Sequence, residues 1–433
     1  MLVRLSKQFG IAAIATLIAA GSLWGQEAKQ NWKDRGEYDL YVAIAKEANN
    51  TKKIELLDSW KAKYAATDFK LERLQLFLAA YQAAGQPAKM LDTAQEMLAL
   101  NPKDVQATFW VCTLATAQPK PTEEHFAMTE KAANSLLASV PETFAADKKP
   151  QATSEADWKK ARIDMEALAH KTAGWVAMQR KDNVKAEEAF RKSLQLSPAA
   201  GEVSYWLGTV IIAQKNADKS SDAIFEIARA ATYDGPGSLN PEGRKQIDAY
   251  LQKLYNNFHG SPEGLEELRK MAKEQALPPE GFKIKSSGEL SMEQEEELKK
   301  SNPQLALWLN IKKELKGAGG ATYWEAMKGA LLPGDAVPGV TKLKGRLVGQ
   351  KPPKAPKELV LAMSDESTPE VTLVLDEPMK TTAPEGTEIS FEGIANGHTA
   401  DPFMVTFEVE KAKVLGWPAP PPPAKKRALP KKK

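Results

Sequence analysis

The segment HKTAGWVAMQRKDNVKAEEAFRKSLQLSP, His170–Pro198, decides how the first two-thirds of the chain is read. Small residues at Ala173, Gly174 and Ala177 lie on one helical face, and Ala186 and Phe190 recur at helical spacing after the polar break Arg180–Asp182. Pro198 stops the second run, because proline lacks the N–H an interior helical position needs. The spacing predicts two helices joined by a short turn. Downstream, EVSYWLGTVIIAQKN repeats the opening, and Gly208 stands 34 residues after Gly174. After a short insertion, Ala223, Ile227 and Ala230 take the places of a second helix.

Earlier copies are weaker. Leu74, Phe77, Tyr81, Ala94 and Asn101-Pro102 form one, and Leu57, Trp60 and Tyr64 before Ala65 form another. The spacing resembles the tetratricopeptide repeat family, in which a small residue lets two helices approach and an aromatic ring fills their crevice. The resemblance covers roughly residues 35–275 and implies an α-solenoid of stacked helical hairpins with a concave groove, each unit burying its face on its neighbours. Ser154-Glu155-Ala156-Asp157 has the pattern of a capping box opening one long helix that runs through Gly174.

In that family the inner helix of each pair faces the groove at fixed offsets from the glycine. The resemblance therefore places Lys171, Trp175 and Gln179, then Tyr205, Thr209 and Ala213, along the groove. Aromatic and amide side chains there suit a protein or peptide segment. Packing between hairpins is the competing role for Trp175 and Tyr205. Some relatives clamp a terminal carboxylate with asparagine, but Trp175 and Thr209 stand at those places, so the sequence does not support that activity.

The last third changes period. Pro278-Pro279 and Gly281 end the array. Residues 277–338 read as a mixed connector, with helices over Met292–Lys300 and Pro303–Lys316 and a break at Gly317–Gly320. From Val340 the apolar residues alternate, predicting strands at Thr341–Gly349, Glu358–Met363, Glu370–Leu375, Glu388–Gly393 and Phe403–Val414. With no helices between them, the expectation for residues 339–416 is a small antiparallel five-stranded barrel resembling the OB type, with an immunoglobulin-like sandwich as the alternative. The fold class expected for the whole chain is multidomain α + β.

The ends carry their own signals. Residues 1–25 hold Arg4 and Lys7, the apolar run Ile11–Ala20 and a small-residue exit at Gly21–Gly25, the pattern of an export signal cut after Gly25. The array then occupies residues 26–276, and the location expected is periplasmic or secreted. An uncleaved membrane anchor is the alternative. Residues 417–433, with Pro420–Pro423 and six cations, read as a disordered arm able to approach an anionic surface or an acidic partner.

Charge and composition exclude other roles. The formal net charge of the 433 residues is +3. The two ends hold more than that, so the body is mildly acidic, unlike a nucleic-acid-binding domain. One cysteine, Cys112, excludes an intramolecular disulfide framework and a four-cysteine metal site. The four histidines His125, His170, His259 and His398 share no metal-ligand spacing, and no G-x-S-x-G is present. No cofactor is expected. The reading is a non-enzymatic exported scaffold; its rival is a cell-envelope hydrolase, or a polymer- or oligonucleotide-binding factor, using the β domain, with His398 beside an acid as its marker.

Overall fold

A computed structural model describes residues 32–118, 120–335 and 337–419. The export signal over 1–25 lies outside the described residues, and so does nearly all of the basic arm. The chain divides into two compact units between Lys285 and Ser286.

The first unit is helical among its described residues. Its helices are α1 (Arg35–Lys46), α2 (Asn50–Lys63), α3 (Lys70–Ala83), α4 (Pro87–Leu100), α5 (Val105–Leu114), α6 (Glu123–Thr143), α7 (Glu155–Gln179), α8 (Asn183–Leu196), α9 (Gly201–Ala213), α10 (Ser220–Thr232), α11 (Pro241–His259) and α12 (Leu265–Glu274). Local chemistry sets the starts. Asp104, Ser154, Asp182 and Asn240 each accept a backbone N–H of the first turn, satisfying a donor with no partner inside the helix. Ser154 caps α7 as expected, but the reciprocal half of the expected capping box does not form: Asp157 accepts the Ser154 hydroxyl instead of its backbone N–H.

From α1 to α11 each helix packs on the next in the chain, with further contacts between α5 and α7 and between α7 and α9, and α12 packs back on α10 rather than on α11. That pattern belongs to hairpins stacked in sequence. Three hairpins share a turn: α3 to α4 passes through Gly85 (φ +64°), α7 to α8 through Lys181 (φ +64°) and α9 to α10 through Lys215 (φ +55°). The two lysines stand 34 residues apart.

The glycines behave as the repeat requires. A Cβ on Gly174 would lie 2.6 Å from the Phe190 ring, and one on Gly208 would lie 2.9 Å from Ile227 and 3.1 Å from the Ala223 carbonyl oxygen. Phe190, Leu194, Leu207, Ile227 and Phe225 are covered.

The second unit has helices α13 (Ser287–Ser301), α14 (Pro303–Lys316) and α15 (Gly320–Met327), followed among the described residues by seven strands. These are β1 (Leu331–Leu332), β2 (Leu343–Lys351), β3 (Glu358–Ala362), β4 (Val371–Leu375), β5 (Glu388–Phe391), β6 (Gly393–Ala400) and β7 (Phe403–Val409). Helix α14 joins the sheet core through Leu307, Trp308, Ile311 and Leu315.

Here the structure corrects the expected antiparallel five-stranded OB-like barrel. The strands form one mixed sheet in the order β1-β6-β7-β4-β3-β2-β5, a half-barrel in which β4 and β7 run parallel (Leu373 opposite Phe407). Two sequence signals misled. Asn396-Gly397-His398 reads as a turn, but it lies inside β6, where a bulge between Ala395 and Gly397 absorbs the irregularity. The run Glu388–Gly393 reads as one strand, but it breaks at Glu392: β5 pairs with β2 and β6 pairs with β7. The parallel pair needs no crossover helix, because β5 and β6 form the long connection between β4 and β7. Since β5 and β6 are consecutive yet occupy different flanks of the order, the sheet is strongly curled.

Candidate interaction surface

The predicted groove residues lie on α7 and α9, which are neighbours. Lys171, Trp175 and Gln179 follow one another at four-residue steps on α7, and Tyr205 and Thr209 do so on α9. Lys171 bridges the two helices: Nζ donates to Glu202 Oε2 at 2.8 Å and lies 5.2 Å from the Trp206 ring centroid. Trp206 in turn leans on Phe190 at 5.6 Å.

The five residues divide by exposure. Trp175 is buried, 6% exposed, with its ring edge-on to His125 (6.1 Å) and Phe126 (5.7 Å). His125 is fixed there by Nε2 lying 3.1 Å from the Ala115 carbonyl oxygen. Tyr205 is 37% exposed, and Thr209 and Gln179 are exposed. The Thr209 hydroxyl donates to the Tyr205 carbonyl oxygen at 2.8 Å, which leaves the oxygen's lone pairs for another donor. Ala213 is exposed at the end of α9.

The available chemistry is therefore a half-exposed phenol, a hydroxyl, an amide and a neutralised Lys171–Glu202 pair. These groups hydrogen-bond and stack, and their charge is balanced locally. Two contributors escaped the sequence reading, Glu202 and Trp206. Opposite charges at Lys171 and Glu202 were a usable signal. The choice of Trp206 over Tyr205 as the ring facing Lys171 depends on how α9 is rotated.

In the second unit, the polar centre is Glu370, 1% exposed at the entry to β4. It accepts Trp308 Nε1–H at 2.9 Å and the Ser364 backbone N–H at 2.8 Å, and it also binds the Ser364 hydroxyl and the Lys312 ammonium. Burial works against its charge, but Lys312, Ser364 and Trp308 outweigh it and hold the carboxyl below the usual range. This centre ties α14 to the sheet. His398 lies against Trp324 (5.5 Å) and Phe403 (5.7 Å), and burial lowers its pKa. Its neighbours are rings, and among the described residues no carboxylate bonds it. Phe391, Phe403 and Phe407 are in the core.

Among the described residues, no group of three or more His, Cys, Asp or Glu side chains is placed to hold a metal ion, and no helix is long and apolar enough to cross a membrane.

No protein-family model matches the chain, and no curated protein matches it. Among solved structures, a thermophilic TPR protein of Thermus thermophilus is matched at 15% identity, over 50% of this chain and 96% of that chain, with a TM-score of 0.26. At that score the likeness carries no weight, and the description of the first unit as stacked helical hairpins rests on its own Gly174–Phe190 and Gly208–Ile227 contacts.

Proposed function

We propose that the chain is an exported, non-enzymatic interaction protein whose helical array holds a segment of a protein partner against α7 and α9. The observation that supports this reading is Tyr205, a large aromatic side chain left 37% exposed beside exposed Thr209 on a helix whose opposite side is packed. A half-exposed ring with hydroxyl and amide neighbours gives contact area together with hydrogen bonding. Local neutralisation of Lys171 by Glu202 makes contacts to this face polar and aromatic rather than ionic.

The test compares affinity capture from envelope extracts by the wild type and by Tyr205→Ala and Thr209→Ala. Both substituted side chains are exposed, so the fold survives and capture of the same partner falls. Equal capture by all three proteins overturns the α9 face as the contact. Trp175→Ala is unsuitable as a probe, because truncating a buried tryptophan costs about 3–5 kcal/mol and disturbs the array itself. Export is checked separately by sequencing the mature N-terminus, where a start at Gln26 is expected.

A further inference from the structure

Glu226 on α10 is fully covered, and neither of its carboxyl oxygens has a hydrogen-bond partner. The side chain beside it is Ser204 of α9, whose hydroxyl is also buried and unpartnered. A dry carboxylate without a well-formed hydrogen bond is a poorly tolerated form of this side chain, because the nearby Ser204 hydroxyl and the charges of Arg191 and Arg229 offset only part of the lost hydration.

Most donors of the charged groups around it are committed elsewhere, and of the Arg229 guanidinium only Nε is buried without a partner. Arg191 reaches across from α8 but donates to Asp222 at 2.6 Å and to Glu187 at 3.0 Å. Arg229, one turn further along α10, gives its terminal nitrogens to the carbonyl oxygens of Pro198 (2.7 Å), Ala272 (3.0 Å) and Gln275 (2.7 Å). Asp222, one turn earlier, adds a like charge. Lys219, just before α10, is held by Glu187 and Gln214. From α11 and α12, Leu251, Tyr255 and Leu268 pack in the cluster around α10, and the Tyr255 hydroxyl donates to the Glu263 carbonyl oxygen.

We propose that Glu226 is a proton-held latch on the α9–α10 hairpin: protonated, it lets the helices close, and ionised, it forces them apart. Burial pushes the carboxyl up to about 8, with Ser204, Arg191 and Arg229 pulling the other way. The latch opens as pH rises through that value. Ser204 is next to Tyr205, so opening displaces the helix that carries the candidate contact face. That consequence rests on the function proposed above, whereas the latch does not.

The test is hydrogen exchange on the full chain, wild type and Glu226→Gln, at about pH 6.5 and about pH 9, corrected for intrinsic exchange chemistry. In the wild type, protection of α9 and α10 amides falls by about tenfold for one pH step above the carboxyl's own value, while α3 and α4 hold theirs. In Glu226→Gln the fall is absent. The same response in both proteins, or undiminished protection in the wild type, overturns the latch. Should Glu226→Gln fail to fold, infrared titration of the wild type decides: a carboxylic C=O band present at about pH 6.5 and gone by about pH 9 supports the latch, and its absence at the lower pH refutes it. Opening without change in partner capture supports the latch and counts against the α9 face as the contact.

Discussion

Gly174 of α7 lies beneath the Phe190 ring of α8 so closely that a single added carbon would come within 2.6 Å of Cδ1 and Cε1. The absence of a side chain at one position and the size of the ring sixteen residues later are two halves of one contact. Helix propensity favours alanine over glycine by about 1 kcal/mol, so the close approach must outweigh that preference.

Gly174→Ala is accordingly expected to destabilise the array, by about 1–2 kcal/mol in urea unfolding, since the fully buried ring would have to shift to admit the added carbon. Pairing it with Phe190→Leu recovers part of the loss relative to the sum of the two single changes. Simple addition of the two effects would show that the glycine and the ring are not coupled.

The shared hairpin turn gives a prediction of the opposite sign. Lys181 and Lys215 adopt the left-handed conformation that Gly85 adopts in the α3–α4 turn. Lysine carries a steric cost there that glycine does not. Lys181→Gly and Lys215→Gly should each stabilise the first unit by about 0.5–1 kcal/mol, read as a shift in urea midpoint at unchanged slope.

In the second unit, Glu370 is the acidic counterpart of Lys312, Ser364 and Trp308. Glu370→Gln leaves the shape and removes the charge, so Lys312 loses its counter-ion and stability falls by about 2–4 kcal/mol. The pH dependence follows from the sign of the shift. The folded-state pKa lies below the unfolded value, so the stabilisation is present above about pH 4.3 and is lost as pH falls through the lower folded value. Acid unfolding of the wild type should show this loss, and the glutamine variant should show less of it.

Cys112 supplies a probe of the first unit. It is 3% exposed, and burial pushes its thiol up to about 12. Since the chain has one cysteine, labelling by a thiol reagent at about pH 8 should be slow in the native protein and should accelerate with urea in step with loss of helical signal. Prompt labelling of the native protein would contradict the packing of α5 against α7.

The sequence alone carried the helical hairpins and their 34-residue register, because these depend on local spacing: a small residue, an aromatic ring and a proline at fixed intervals are sufficient signals. It also located most strands of the second unit by alternation. Only the tertiary structure decided how those strands join. The parallel β4–β7 pair and the break at Glu392 arise between segments far apart in the chain, and alternation is blind to both partner and direction. The surface divides in the same way. The repeat spacing set Lys171, Trp175 and Gln179 along one line of α7, and Tyr205 and Thr209 along one line of α9. The rotation of each helix then put Trp175 among His125 and Phe126 and left Tyr205 to solvent. Glu226 could not be singled out in advance, since an unpaired carboxyl is defined by what fails to reach it, and that depends on every helix around it.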